Sequence, residues 1–457
     1  MAIRILATGD IHIGCRPSRV ADPADAERFS CAAMWQAIVE RAIAERVDLV
    51  ALSGDLVDHN NRFYEATGPF ERGLLKLAQH GIETYAVAGN HDFDVLPRLV
   101  ETVGPQNFHL LGRGGRWEDC HVMRDGRPVL SIHGWSFPQQ YAPTSPLIDY
   151  ALASDPRIPT LALLHADLDN LVSRYAPVAR AELNARPVTM WLLGHIHAPC
   201  YLPAAAGPAL LYPGSPQAMD PGETGVHGPW IVEIEGPHAV RARQLPMSQV
   251  RYDVLPLDLT DSRTLDDFDR CVHQTIGTQL TSAASTDPPP ALLSLRLRLI
   301  GRTPLCGSLS EPIARLVEDF ERSAGPVTAR IDKVYNETRG DFDLARLAEK
   351  QDLVGVVART LLALQSTPDN VAGNGNVAVN GDAFTNGDAR ADRNIERLVL
   401  QAREKILDAH RAPPYALLAG AQTDREEAPP IDELARGLLI RQGTLLLEAL
   451  RAQECAP

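Results

Sequence analysis

The sequence is poor in cysteine and has no long hydrophobic run. Its 457 residues include seven cysteines, an odd number at irregular spacing that does not predict a disulfide framework. No stretch approaches the roughly 20 apolar residues that a membrane-spanning helix needs. The first residues enter a predicted strand without the basic and apolar regions of a signal peptide. We therefore expect no membrane association and a cytoplasmic location.

Lysine is also scarce, and acidic side chains exceed basic ones. Four of the 44 basic residues are lysines, and the formal net charge at pH 7 is −14. An acidic chain is not typical of proteins that wrap long duplex DNA, because neutralisation of phosphates supplies most of their non-specific affinity. Any contact with nucleic acid must therefore depend on a local basic patch, on bound metal ions or on a partner.

The length of the chain predicts more than one domain. Residues 1–245 begin with a βαβ pattern and continue with closely spaced strands. This order predicts an α/β fold of two packed sheets with helices outside, a four-layer αββα sandwich. Residues 246–340 predict a small α/β domain. Residues 341–457 predict a helical tail, with a flexible Gly- and Asn-rich linker at about 366–392.

Hydrophobic periodicity predicts the elements of the second half of the chain. Leu292–Ile300 alternates leucine and arginine over part of its length, which is typical of a half-buried strand, and Val327–Val334 is a second strand. The helical predictions are Glu311–Ser323, Leu344–Leu364, Asn394–His410 and Ile431–Ala452.

Polar side chains follow five apolar runs of strand length in the first half of the chain. Residues at the carboxyl ends of strands in an open α/β sheet are the usual position of a functional site. The side chains collected in this way are imidazoles and oxygen donors with no thiolate, as two-metal sites require. They are Asp10, His12, Asp55, Asn90, His165, His195 and His197.

A two-metal site of this kind performs phosphoryl chemistry. Two divalent ions about 3.5–4 Å apart clamp the attacking and leaving oxygens, and they generate hydroxide near neutral pH. We predict that Asp55 bridges the two ions, because it is central in the sequence of donors. His91 follows a predicted ligand, so we predict that it acts as general acid toward the scissile phosphate.

These motifs resemble those of the calcineurin-like metallophosphoesterases. The resemblance is carried by Asp10-x-His12, Gly54-Asp55-x-x-Asp58, Gly89-Asn90-His91-Asp92, His165 and Gly194-His195-x-His197. The flanking stretches Tyr175-Ala176-Pro177, Tyr212 to Gln217 and Glu223-Thr224-Gly225 are similar to the DNA repair exonuclease group. That group includes the SbcD nuclease and, with closer similarity, the YhaO-type proteins. The motifs cover roughly the first half of the chain, and five together are a specific signal.

The resemblance implies a metal assignment. One ion is expected to take Asp10, His12, Asp55 and His197, the other Asp55, Asn90, His165 and His195, and manganese is the usual ion of such nucleases. It also implies that residues 246–340 are a capping domain over a DNA cleft. Asp58 is a departure, because related repair nucleases of archaea and eukaryotes have a histidine three residues after the bridging aspartate.

Three arginines follow motif loops, and we predict that they contact DNA phosphates, with surface solvation as the alternative. They are Arg16, Arg19 and Arg62. The resemblance also implies that residues 394–457 bind a coiled-coil ATPase of the structural-maintenance type or a second copy of the chain. The alternative is that the last helix packs against Asn394–His410 as a hairpin.

The expected function is therefore two-metal hydrolysis of DNA phosphodiesters, by an exonuclease or endonuclease of DNA repair, through attack of a metal-bound hydroxide on phosphorus. Two alternatives stay open. One is a phosphodiesterase or phosphatase that acts on a small nucleotide or another phosphoester, because metal motifs alone do not choose a substrate. The other is a scaffold subunit with a vestigial site.

Overall fold

The computed structural model describes residues 2–20, 27–58, 66–103, 107–204, 207–365, 388–411 and 431–454. Arg62 and most of the predicted linker lie outside the described residues. The chain divides into two compact units. The first comprises Met1–Leu255, Gln274–Leu297 and Leu316–Tyr335, and the second comprises Pro256–His273, Arg298–Arg315 and Asn336–Pro457. Parts of the predicted capping domain occur in both units, so the three predicted domains stay a prediction.

The strands of the described residues are numbered in chain order. They are β1 Ile3–Thr8, β2 Leu49–Leu52, β3 Glu83–Ala86, β4 Phe108–Leu110, β5 Glu118–Arg124, β6 Arg127–Trp135, β7 Thr160–His165, β8 Asp167–Leu168, β9 Pro177–Val178, β10 Met190–Gly194, β11 Cys200–Leu202, β12 Ala209–Tyr212, β13 Trp230–Ile234, β14 Val240–Gln244, β15 Val250–Asp258, β16 Leu292–Ile300, β17 Arg302–Thr303, β18 Glu321–Ala324, β19 Val327–Asn336 and β20 Arg339–Gly340.

The helices are numbered in the same way. They are α1 Cys31–Ala44, α2 Thr67–Gln79, α3 Leu96–Val103, α4 Arg180–Asn184, α5 Leu265–Ala284, α6 Ser310–Asp319, α7 Leu344–Ala348, α8 Leu353–Gln365, α9 Asp388–Arg411 and α10 Ile431–Glu454, with one 3-10 helix at Pro146–Asp149. Among the described residues, no helix is long and apolar enough to cross a membrane.

Two six-stranded sheets form the centre of the first unit. The first sheet has the order β14-β13-β1-β2-β3-β4 and the second β11-β12-β10-β7-β6-β5. Strands β1 to β4 are parallel to one another, as are β6, β7, β10 and β12. In each sheet the carboxyl ends of the parallel strands therefore meet at one edge, which is where the predicted donors follow the strands.

The alternation of side chains along the strands explains the layers. In β1, Ile5 packs in the apolar cluster between the two sheets, whereas Leu6 faces the helices α1, α2 and α3. In β10, Leu192 lies between the sheets, whereas Trp191 faces α4 and the 3-10 helix on the other side. Successive side chains of a strand point to opposite faces, so each central strand is apolar on both sides. The four-layer αββα prediction is confirmed.

Helix α1 shows why the outer layer forms where it does. Ser30 caps the helix, because its hydroxyl accepts a hydrogen bond from the backbone N–H of Ala33 at 3.2 Å. The buried residues then recur at helical spacing. They are Cys31, Met34, Trp35, Ile38, Val39 and Ala42. One face of the helix therefore covers the first sheet.

A third sheet has the order β15-β16-β19-β18. Strand β16 has the bounds that the sequence predicts, and its Leu293, Leu295, Leu297 and Leu299 are buried. Helix α6 ends at Asp319. Residues 321–324 form strand β18, although the first three of them lie in the predicted helix Glu311–Ser323. That prediction was wrong over its last four residues, 320–323. A hairpin with β19 supplies the hydrogen bonds of β18, and a polar edge strand has no apolar alternation to reveal it.

Three long helices form the core of the tail in the second unit. Leu361 of α8 and Leu447 of α10 are buried in one cluster, and Val399 of α9 and Ala435 of α10 are buried in another. The hairpin of the last two helices, which was the alternative to partner binding, is therefore present, with α8 as a third member. The single predicted helix Leu344–Leu364 is two helices, α7 and α8. Helix α9 begins at Asp388, inside the predicted linker.

Candidate metal centre

The first two motif turns bind each other through their backbones. After β1, the N–H of Asp10 donates to the carbonyl of Gly54 at 2.9 Å, and the N–H of His12 donates to the carbonyl of Asp55 at 3.0 Å. These turns contain non-glycine residues in the left-handed region, with φ of 48° at Asp10, 50° at His12 and 49° at Asp55. Such backbone conformations cost roughly 1–3 kcal/mol each and concentrate at functional sites. They turn successive polar side chains toward one point.

Two glycines allow the turns to approach closely. A Cβ atom on Gly89 would lie 2.1 Å from Oδ1 of Asp55. A Cβ atom on Gly194 would lie 2.2 Å from the carbonyl oxygen of Ser53 and 2.6 Å from Nδ1 of His165. Real Cβ atoms do not approach other atoms so closely, so only glycine fits at either position. The glycines beside the predicted donors are therefore part of the packing of the site.

The seven predicted donors come together at the carboxyl ends of the two sheets. Nε2 of His165 lies 3.0 Å from Oδ1 of Asn90 and 3.2 Å from Oδ2 of Asp55. Nε2 of His12 lies 3.2 Å from Nε2 of His197. The ring of His195 lies 5.3 Å from that of His165, and its backbone N–H donates to Asp10.

Two groups of donor atoms overlap only in part with the two sets implied by the resemblance, because Asp10 rather than Asp55 belongs to both groups. The ligand atoms of Asp10, His12 and His197 all lie within 4.8 Å of one another, and so do those of Asp10, Asp55 and His165. Which ion each donor binds stays a prediction. A third group of the same size contains His12, Asp58 and His91, and the sequence did not predict Asp58 as a member.

The electrostatics of the buried carboxylates fit a bound cation. Burial raises the pKa of Asp10, which is fully enclosed. Burial also opposes ionisation of Asp55, but the neighbouring imidazoles of His165 and His12 hold the pKa of Asp55 below its ordinary value. Buried carboxylates are retained in proteins when they are paired with a cation or coordinate a metal. The donor set therefore has the charge and chemistry of a divalent-metal site.

The pKa values of His165, His195 and His197 differ. Burial lowers the pKa of His195 to about 3, and the nearby His165 adds to this effect. Burial would also lower the pKa of His165, but the carboxylates of Asp55 and Asp10 raise it to about 9. The pKa of His197 is raised to about 9, because Glu223 and Asp10 outweigh its burial. A metal ligand must be unprotonated, so metal binding has to displace protons from His165 and His197.

Glu223 orients His197, and the sequence did not predict this role. Oε1 of Glu223 lies 2.8 Å from Nδ1 of His197. Its Oε2 accepts hydrogen bonds from the hydroxyl of Ser215 at 2.7 Å and from the backbone N–H of Met219 at 2.9 Å. A carboxylate on Nδ1 leaves Nε2 of a histidine to bind a metal. Glu223 belongs to the Glu-Thr-Gly stretch of the resemblance, which was the available signal.

Asp92 joins two of the motif turns. Its Oδ2 accepts a hydrogen bond from the N–H of Leu56, and its Oδ1 accepts one from the N–H of Gly89, both at 2.7 Å. Asp92 is fully buried, and burial together with the charge of Asp55 raises its pKa to about 7. Asp92 therefore holds Asp55 and Asn90 in register rather than binding a ligand.

His91 lies at the edge of the centre. Its side chain is 37% exposed, and Nδ1 lies 3.6 Å from Oδ1 of Asp58. The nearby carboxylate of Asp58 raises the pKa of His91. The backbone N–H of His91 donates to Asp55 at 2.9 Å, so the side chain is held beside the predicted bridging carboxylate. A partly exposed imidazole at this position can reach a substrate, and its role as general acid stays a prediction.

The arginines predicted to contact DNA have other partners. Nη2 of Arg16 lies 2.7 Å from Oε2 of Glu27. Nε of Arg19 lies 3.7 Å from Oδ1 of Asp332, beside a cavity of about 530 Å³ that is lined by four acidic residues and two arginines. This balance of charge does not favour a phosphate. Phosphate binding by Arg16 and Arg19 stays a prediction, and Arg62 lies outside the described residues.

Comparison with known proteins supports the resemblance over part of the chain. Residues 3–199 match the family model described as calcineurin-like phosphoesterase. The uncharacterized metallophosphoesterase YhaO of Bacillus subtilis is 29% identical over 199 residues, which is 43% of this chain and 48% of the relative. The DNA double-strand break repair protein Mre11 of Methanopyrus kandleri is 23% identical over 233 residues, which is 48% of this chain and 49% of the relative.

The chain thus spans about half the length of the curated relatives that it matches. Among solved structures, a dimetal phosphatase from Danio rerio is 12% identical and covers 53% of this chain and 98% of its own, with a TM-score of 0.33. The family match and the clustered donors together support a calcineurin-like phosphoesterase region at residues 3–199.

Proposed function

We propose that this protein hydrolyses phosphodiester bonds of DNA with two divalent metal ions, which we take to be manganese. The observation that carries the proposal is the convergence of seven oxygen and imidazole donors at the carboxyl ends of the two sheets, with Asp10 in both groups of donor atoms and Asp55 beside His165. The similarity to a protein named for repair of DNA double-strand breaks supports DNA as the substrate. A cytoplasmic location and a place in the SbcD-like repair group belong to the same proposal.

The residues of the chain have distinct tasks in this reaction. Asp10, His12, Asp55 and His197 would hold one ion, and Asp55, Asn90, His165 and His195 the other. When bound, two divalent ions stabilise charge on the phosphate oxygens and activate water near neutral pH. Glu223 keeps Nε2 of His197 toward the site. In the same way, Nδ1 of His165 lies 3.0 Å from the carbonyl of Ser53, so its Nε2 faces Asn90 and Asp55.

His91 would move the proton of the leaving group. Asp58 lies against its Nδ1, which leaves the other ring nitrogen to donate a proton to the departing oxygen. General acid catalysis of this kind contributes typically about 10²–10⁴ in rate. The raised pKa of His91 keeps the donor protonated over more of the neutral range than an isolated histidine.

A digestion of end-labelled DNA tests the proposal. Purified protein with manganese should shorten duplex or single-stranded DNA, and chelation of the metal should stop the reaction. Turnover of p-nitrophenyl phosphate esters is measured in parallel. Hydrolysis of the esters without any cleavage of DNA would favour the small-substrate phosphodiesterase or phosphatase. No hydrolysis of either substrate by a metal-loaded protein would favour the scaffold with a vestigial site.

We also propose that the tail binds a coiled-coil ATPase subunit or a second copy of the chain. On α10, Leu434, Leu438 and Leu445 are 41%, 41% and 51% exposed and recur at intervals of four and seven residues. They form a stripe on the helix face that does not pack against α8 and α9. Exposed apolar stripes of this kind are typical of interaction sites.

A further inference from the structure

A line of aromatic rings runs outward from the candidate metal centre. The ring of Tyr175 lies 5.0 Å from that of His195, and the ring of Tyr141 lies 5.8 Å from that of Tyr175. The guanidinium carbon of Arg174 lies 5.0 Å from the centroid of the Tyr141 ring. Tyr141 is 39% exposed, so the outer end of the line is open to solvent two ring steps from a predicted metal ligand.

Two chain segments hold these rings rigidly. The N–H of Ala142 donates to the carbonyl of Arg174, and the N–H of Ala176 donates to the carbonyl of Ala142, both at 2.8 Å. The N–H of Asp167 donates to the carbonyl of Tyr175 at 3.1 Å, which ties the second segment to the strand end that follows His165. Rings on a preorganised backbone lose little conformational freedom when a ligand binds.

Among the residues that the structure describes, neither Tyr141 nor Arg174 belongs to a buried apolar cluster or an ion pair. Tyr141 does not belong to the buried cluster on this side of the sheet, and the neighbouring Leu171 and Val172 are 66% and 95% exposed. A planar ring, a guanidinium group and apolar neighbours are the groups that bind unpaired nucleobases and their phosphates. Bases within a duplex are already stacked on each other and do not offer a free face.

We infer that Tyr141 and Arg174 bind a nucleobase of single-stranded DNA, or of a frayed DNA end, about two nucleotides from the phosphate held at the metal centre. The base stacks on Tyr141, and Arg174 contacts the adjoining phosphate. This inference rests on the proposed function and adds the strand form of the substrate and the position of one contact. The net acidic chain gains affinity for DNA in this way without an extended basic surface.

A set of single-stranded oligonucleotides with one abasic position tests the inference. The abasic position is moved from the first to the fourth nucleotide on each side of the cleaved bond, and kcat/KM is measured for the wild type and for Tyr141→Ala. At one position, loss of the base should reduce kcat/KM of the wild type roughly 5- to 150-fold, as should Tyr141→Ala on the intact oligonucleotide. The two losses should not add. On the oligonucleotide that already lacks this base, Tyr141→Ala should change kcat/KM by less than about twofold.

Matched variants separate stacking from a structural role. Tyr141→Phe should retain wild-type kcat/KM, because the ring suffices for stacking. Arg174→Lys should keep the phosphate contact only in part, because an ammonium group lacks the planar geometry. Tyr335 is the control, since Lys333 lies 4.7 Å from its ring centroid. It has the same ring and a cation beside it on β19, and Tyr335→Ala should leave kcat/KM unchanged.

Hydrolysis of methyl p-nitrophenyl phosphate distinguishes failure of the proposed DNA hydrolysis from failure of the stacking site alone. Tyr141→Ala should hydrolyse this ester at the wild-type rate, since the ester does not extend two nucleotides from the metals. If the wild type cleaves the ester but no DNA, the proposed function fails and this inference fails with it. If the wild type cleaves DNA but the losses from Tyr141→Ala and the abasic position add fully, or Tyr335→Ala has an equal effect, only the stacking site is overturned.

Discussion

At the scale of single residues, Asp55 is the donor that we predict to bind both ions. It lies 3.2 Å from His165 and accepts a hydrogen bond from the N–H of His91. Asp55→Ala should therefore reduce bound manganese below one equivalent and abolish hydrolysis, while the circular dichroism of the fold is retained. Metal content of the dialysed protein measures this. Asp169→Ala is the control, because Asp169 is an exposed carboxylate that pairs with Arg180. Two equivalents of manganese bound to Asp55→Ala would show that Asp55 does not bridge the ions.

A substitution of His91 tests catalysis independently of metal binding. His91→Ala should keep both ions and lose roughly 10²–10⁴ in kcat, because it removes the proton donor but no ligand. Asp58→Asn should have a smaller effect in the same direction, since the carboxylate that faces Nδ1 of His91 is lost. Single-turnover rates on DNA, with metal content measured on the same samples, test both variants. Loss of metal from His91→Ala, or normal turnover, would contradict the acid role.

The metal donors that directly follow strands could be predicted from the sequence. The residues that orient those donors through hydrogen bonds could not. A glycine and a polar residue after an apolar run mark the end of a parallel strand, and the parallel strands converge at one edge, so all seven donors could be collected before the fold was known. Glu223 is 26 residues from His197, and only the folded chain brings its carboxylate to Nδ1. Asp58 and Asp92 were visible within the motifs, but their hydrogen-bond partners were not.

At the scale of elements, periodicity predicted the central strands better than the edges. β16 has the predicted bounds, because its buried leucines alternate with polar residues over part of its length. The polar strand β18 was predicted as helix, because its stability comes from pairing with β19 and its side chains do not alternate between apolar and polar. The break between α7 and α8 was also missed, since apolar residues continue at near-helical spacing across it.

The turns after β2 and β3 behave as one element that Asp92 holds together. Asp92→Asn keeps the size of the side chain but places an amide NH₂ against one of two backbone N–H groups, Leu56 or Gly89. Leaving a buried donor without its acceptor costs about 1–3 kcal/mol, so urea unfolding should show a loss of stability of that size. Metal affinity should fall as well, because Asp55 and Asn90 lie on the two turns. Wild-type stability together with wild-type metal affinity would show that the turns keep their register without Asp92.

At the scale of the whole molecule, the last helix of the tail has one face that packs in its own core and an exposed face that we propose binds a partner. Leu447 is buried, and Leu439, Ile440 and Leu450 are partly buried in the helical clusters, whereas Leu434, Leu438, Leu445 and Leu446 are exposed. Removing residues 394–457 would also uncover Leu361 and Leu364 of α8. A deletion therefore cannot separate docking from folding, and substitutions on the exposed stripe can.

Replacing Leu434, Leu438 and Leu445 together by serine should abolish association and leave the fold intact, because each side chain is about half exposed in the isolated chain. The mass in solution, measured by light scattering, should fall from a dimer to a monomer if the partner is a second copy. If the partner is an ATPase, the wild type should co-purify from its source cells with a coiled-coil ATPase that the triple variant fails to retain. Met123→Ser is the control, since Met123 is 56% exposed on β5. A monomeric wild type that retains no ATPase would contradict the docking proposal, and unfolding of the triple variant would show that the stripe belongs to the core of the tail.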